Sequence, residues 1–179
     1  MGSSDNIDTV YGYWYVPGRP AEGGALVFLF NGIESTGGDW IMQPVLQWGD
    51  NGNFGGDYYT FASWLVGPES SGYAAYSTPI VVNVDDYLWG DSYQNGAVGA
   101  GNPTLDYEVV AADVTSQQKS TLYLTSQGLH WILAFSGVLE AYSVTSCYEY
   151  PSGLGGGSKE THVKPRFLMD TLPMTFTRR

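Results

Sequence analysis

Residues 32–49, GIESTGGDWIMQPVLQWG, decide the reading of the fold. The Gly37-Gly38 turn opens an apolar run, Trp40 to Trp48, which Gly49 closes. An apolar run of this length between turn signals predicts a strand. In an extended strand, residues two apart share a face. Gln43, Val45 and Gln47 therefore point one way, and Leu46 and Trp48 the other. A far-downstream run, Val138 to Ser146, predicts a second such strand, with Val138, Glu140, Tyr142 and Val144 on one face. Each run carries a polar group that an apolar strand does not need, the amide of Gln47 and the carboxylate of Glu140. We expect the two strands in one antiparallel sheet, with Gln47 and Glu140 meeting over a groove. On a half-exposed sheet, polar residues at alternate positions also arise simply by facing water.

Working outward, the rest of the chain follows the same pattern. Thr9–Val16, Ala25–Asn31, Tyr58–Leu65, Pro79–Val84 and Tyr87–Tyr93 are short β-rich or apolar runs between turn signals. Asp106–Val114 and Ser120–Thr125 predict a hairpin around TSQQK, and Trp131–Phe135 and Val138–Ser146 two strands separated by Gly137. Gln94–Pro103 reads as a loop. No long helical period with caps is present, so helix content should be low. Many short strands punctuated by turns predict an all-β sandwich or barrel. Residues 1–153 form the expected β-domain. Residues 154–179 form a Gly-rich linker and basic segment, in which 163–169 and 174–177 each have the composition of a late strand.

A length of 179 residues suits one domain with a sizeable core. The formal charge is −11. Residues 1–150 hold two basic against sixteen acidic residues (−14), and 151–179 hold five against two (+3). Such an acidic body would repel phosphates and argues against nucleic acid as a partner. It suits work in acid, where protonation relieves self-repulsion, and equally a merely soluble surface. No run of 18 apolar residues exists to form a membrane-spanning helix, so no membrane partner is expected. MGSSDNID lacks a secretory pattern; the chain is expected in the cytoplasm, or outside the cell if a leader has been removed. Cys147 is the sole cysteine, so an intrachain disulfide is impossible. His130 and His162 have no metal-ligand spacing, Asp85-Asp86 reads as a turn, and GAVGAG lacks a βαβ context; neither metal nor cofactor is expected.

VPGRP, then GALVFLFNGIE, QPVLQWG and LEAYSV, with MTFT near the end, together resemble the eqolisins, the glutamic peptidases. The resemblance spans about residues 9 to 153 and implies a two-sheet antiparallel β-sandwich of the concanavalin A-like or jelly-roll kind. It implies that Gln47 and Glu140 are catalytic and that a polypeptide is the substrate, cut by an acid-acting endopeptidase. Glu34 stands where that family usually has Asp, Phe30 where it typically has Trp, and Ser63 where it often has an acidic residue. With Trp48, Trp64 and Tyr142, Glu34 is a candidate for substrate binding. The implied chemistry is coherent: one carboxyl group can act as base and then acid, while a neutral amide orients water and donates to the oxyanion. Other readings stay open. A carbohydrate-active enzyme would need a carboxylate pair, Glu140 with Glu34 or Glu108. A lectin-like binder would use exposed Tyr and Trp, and an acid–base enzyme on a small molecule would use the same groove.

Overall fold

The computed structural model describes residues 7–95, 104–127, 129–153 and 177–178. Within them the chain forms β1 (Ile7–Tyr15), β2 (Leu26–Ser35), β3 (Ile41–Trp48), β4 (Tyr59–Val66), β5 (Ala74–Tyr76), β6 (Ile80–Val82), β7 (Tyr87–Asn95), β8 (Thr104–Asp113), β9 (Gln118–Gln127), β10 (Trp131–Tyr142) and β11 (Thr177–Arg178). Among the described residues, helix is confined to two single turns, Glu69–Ser71 and Cys147–Glu149. A five-stranded sheet runs β11-β1-β7-β8-β9, and a six-stranded sheet runs β10-β2-β3-β4-β5 with β6 also on β4. All pairings are antiparallel, so the expected β-sandwich is the fold. The 154–176 segment, with the late strand suggested for 163–169 and most of that suggested for 174–177, lies outside the described residues.

Alternation places the core. In the six-stranded sheet, Leu29, Leu46, Phe61 and Leu139 stand in one cross-strand row, and Val27, Trp48, Tyr59 and Ala141 in the next. All of these face the other sheet, whose Leu88 and Ala111 complete the cluster. A second cluster joins Ile33 and Met42 to Val10, Tyr107, Val109 and Trp131. Gly90 lies tight against the other sheet: a Cβ there would sit 2.6 Å from Pro44, and 2.5 Å from the neighbouring Trp14 ring. Pro44 lies mid-strand in a central strand, a place a proline seldom takes. It has no N–H to give, and the β2–β3 ladder skips the positions between Val45 and Met42.

Two expectations are corrected. Trp131–Phe135 and Val138–Ser146 are one strand ending at Tyr142, not two. Gly137, at φ 64°, takes up a bulge between Phe135 and Val138, and pairing with β2 resumes beyond it. Phe135, paired with Gly32, lies on the outer face against Phe30, and the bulge returns Val138 to that same face. Trp48, a candidate for substrate contact, is 4% exposed in the core; its strand parity directs it between the sheets. The predicted hairpin at residues 114–117 forms, its turn held by Asp113 Oδ1, which accepts from the N–H groups of Thr115 and Ser116. Asp85-Asp86 is a turn, with Asp86 accepting from the Asn83 N–H.

Candidate functional site

The residues not used by the core define the outer face of the six-stranded sheet. Glu140 pairs with Phe28, Phe28 with Gln47, Gln47 with Thr60, and Thr60 with Val81. Directly paired residues point to the same side, so Glu140 and Gln47 share this face, in one row, with Phe28 between them. Two interstrand steps put their backbones roughly 10 Å apart. Tyr142 lies two residues beyond Glu140 on the same face. Its hydroxyl donates a short hydrogen bond to Glu140 Oε1, and its ring meets Phe28 edge-on. That bond, followed by partial burial and the charges of Glu140 and Glu69, pushes the Tyr142 phenol up to about 12. The phenol is thus held protonated against the carboxylate, and Glu69, from the turn after β4, lies near enough for its charge to be felt.

Gln47 is committed elsewhere. It is 1% exposed, and its Nε2 donates to the carbonyls of Gly49 (2.8 Å) and Phe54 (3.1 Å). Its Oε1 accepts from Asn51 Nδ2 at 2.9 Å. Asn51 Oδ1 in turn accepts from the N–H groups of Asn53 and Phe54. Residues 49–56, the glycine-rich NFGG turn and its neighbours, thus form a strap clasped by the Gln47 amide. Gly55 makes the clasp feasible: at φ 110°, its absent Cβ would fall 2.1 Å from Gly49 O and 2.5 Å from Gln47 Nε2. Phe54 carries the strap onto an aromatic cluster, 5.6 Å from Trp64 and 5.2 Å from Tyr76 between ring centroids, with Trp64 and Tyr76 4.8 Å apart.

Of the remaining candidates, Trp64 is on the outer face, as a substrate contact requires. Glu34 is on the same face but six residues along β2 from Phe28, about 20 Å away. Glu108 belongs to the other sheet, where its Oε2 accepts from the Tyr93 hydroxyl at 2.5 Å. Neither makes a glycosidase-type carboxylate pair with Glu140, whose two members stand within about 10 Å; these two pairings are corrected by the topology. Ser63 points inward and stitches the sheets together: its Oγ donates to the Ser120 carbonyl at 2.9 Å, and Ser77 joins both. His130 contributes its carbonyl to Thr36, and its ring is exposed. Sequence reasoning missed Asn51, Phe54, Tyr76 and Glu69, which reach the site from turns and a three-residue strand. It placed Gln43 on the right face without assigning it a role.

No protein-family model and no curated protein matches this sequence. Solved structures do match. A scytalido-glutamic peptidase with a peptide-based transition-state analogue is 19% identical over 78% of this chain and 60% of its own length, with a TM-score of 0.51. A second structure of scytalido-glutamic peptidase with a transition-state analogue inhibitor is 16% identical over 86% of this chain and 66% of its own, also with a TM-score of 0.51. The chain has the fold of the glutamic peptidases. It spans less than two thirds of the length of these neighbours. On the glutamic-peptidase fold of this chain, Glu140, Phe28 and Gln47 form one row across the outer face, and the strap closes over the Gln47 end.

Proposed function

We propose that the outer face of the six-stranded sheet binds polypeptide and that Glu140 hydrolyses a peptide bond there as an acid-acting endopeptidase. The observation that carries this is the shared row: Glu140 and Gln47 are far apart in sequence, yet register puts them on one face of one sheet. A solved neighbour holding a peptide-based transition-state analogue supports polypeptide as the substrate class. In the proposed reaction, ionised Glu140 takes a proton from water as the water oxygen bonds to the carbonyl carbon. The C=O electron pair moves to oxygen, giving an oxyanion. Protonated Glu140 then returns its proton to the amide nitrogen as the C–N bond breaks, leaving a carboxylic acid and an amine. Tyr142 holds the carboxylate in place through its hydroxyl. Gln47 stabilises the oxyanion once its Nε2 leaves the carbonyls of Gly49 and Phe54, so the active state has the strap lifted.

A second reading, a peptide-binding protein without turnover, is favoured by the saturated hydrogen bonding of Gln47. Digestion of a denatured protein substrate from acidic to neutral pH separates the two. Under the proposal, wild type cleaves in acid, while Glu140→Gln loses at least a hundredfold in rate, the usual scale for a general acid–base group. Gln47→Ala also loses rate. A folded wild type that cleaves nothing at any pH, while still retaining peptide, establishes the binder instead.

A further inference from the structure

Beside the clasped Gln47, three polar groups lie buried without a partner on the same outer face: Gln43 Oε1, Thr60 Oγ1 and Trp64 Nε1. Gln43 is 8% exposed and Thr60 3%. Gln43 and Trp64 are direct cross-strand partners, and Thr60 pairs with Gln47 two rows on, past Val45 and Ala62, about 13 Å along the strand. Their Cβ atoms are therefore roughly 5 Å apart for each pair, on a single patch of β3 and β4. Buried donors and acceptors in native proteins are almost always satisfied. A patch with one acceptor, one donor and one hydroxyl left over is shaped for something that brings the complementary groups.

We propose that Gln43, Thr60 and Trp64 form a recognition surface for the backbone of an extended peptide segment, its Trp64 end uncovered when the 49–56 strap lifts Phe54 from Trp64. The inference rests on polypeptide as the ligand and adds the place where its main chain is read. A residue in extended conformation presents its N–H and C=O on the same side, as it does toward a neighbouring strand. The C=O of one residue accepts from the Trp64 indole N–H, its N–H donates to Gln43 Oε1, and the Thr60 hydroxyl takes a peptide group further along the same segment. Tyr76, 38% exposed beside Trp64, flanks the bound segment with an apolar wall. The same movement that opens this patch releases Gln47, because Phe54 and the Gln47 clasp belong to one strap. Reading the main chain and freeing the amide are then a single event.

The test uses ¹⁵N-labelled full-length Glu140→Gln, which does not turn substrate over, titrated with N-acetyl-Ala-Phe-Ala-amide and with its analogue N-methylated at Phe. The Trp64 indole cross-peak is identified by its loss in Trp64→Phe. The expected result is a saturable downfield shift of that peak with the plain peptide. Adding Gln43→Leu should weaken binding about tenfold, the scale of one hydrogen bond to a buried group. N-methylation should cost about the same against Gln43 but little against Leu at that position. Thr60→Val provides a second variant whose fold is not at risk. A Trp64 peak that stays still while others saturate, equal binding by Gln43→Leu, or no peptide binding at all would overturn the subsite. Cleavage by wild type with a silent Trp64 peak removes the subsite and leaves the peptidase; a responding Trp64 without cleavage does the reverse.

Discussion

Replacing Thr60 by Val should make the free protein more stable. Thr60 is 3% exposed in the middle of a sheet, and its hydroxyl has no partner. An unpaired buried hydroxyl costs about 1–3 kcal/mol relative to water. Valine has nearly the same shape, keeps the β-branch that suits a strand and leaves no cavity. Removing the penalty therefore yields about 1–2 kcal/mol. For a chain of this size each kcal/mol moves the melting temperature by roughly 2–4 °C, so a rise of about 2–8 °C is expected. The assay is thermal unfolding of both proteins without ligand, followed by circular dichroism and calorimetry. Ser77→Ala is the counter-case, because the Ser77 hydroxyl is bonded to Ser63 and Ser120 and its loss should destabilise. If Thr60→Val melts at or below wild type, the hydroxyl is satisfied, by a buried water for instance, and the reasoning about the patch fails.

The remaining predictions concern charge and the strap. Burial raises the Asp91 carboxyl from 3.8 to about 6, partly opposed by the Thr9 hydroxyl and Ser92 N–H and helped by the charge of Glu108. The folded state thus holds this proton more tightly than the unfolded one, so the group's contribution falls as pH rises from about 4 to about 6, by at most about 3 kcal/mol. Melting temperatures measured across that window should decline for wild type and decline less for Asp91→Asn; parallel slopes would refute the assignment. Gly55→Ala should cost about 1–3 kcal/mol, since φ 110° and the contact with Gly49 O both forbid a Cβ. It should also unclasp Gln47, seen as accelerated exchange of its side-chain amide protons, and unchanged exchange would show that the clasp survives.

The fold was legible because alternation is a strong signal wherever one face is buried. Tyr58, Thr60, Ala62 and Trp64 were separable from Tyr59, Phe61, Ser63 and Leu65 by parity alone, and the structure sends the first set out and the second in. The same parity set Gln47 and Glu140 on one face once their strands shared a sheet. What parity could not supply was the third dimension. Nothing in NGNFGG says that the turn folds back over its own strand, so the occupation of Gln47 was invisible. Gly137 looked like a strand break because glycine marks turns and bulges alike. Trp48 was drawn toward the site by its aromatic character, although its position, next to Gln47 and hence opposite in face, already assigned it to the core. Long-range separation also hid Glu69, which is polar and in a turn, as most acidic residues are.

The closed strap and the unsatisfied patch are two sides of one equilibrium. Lifting the strap gives up three side-chain hydrogen bonds of Gln47 and two aromatic contacts of Phe54. At about 1 kcal/mol for each bond and 0.5–1.5 for each ring pair, the gap is roughly 4–6 kcal/mol. The open state then holds well under about 1% of the free protein. A ligand can draw the equilibrium over only by its differential affinity for the open form. An extended peptide has that differential, because Gln43, Thr60 and Trp64 are buried without partners in the closed form and bonded in the open one. A ligand confined to Glu140 and Tyr142 has none, since the strap's hydrogen bonds and ring contacts run to Gln47, Trp64 and Tyr76. Single amino acids and short blocked amides that reach only the Glu140 end should therefore bind without opening the strap and escape cleavage. Segments long enough to cross Phe28 and lie on Trp64 assemble the whole row.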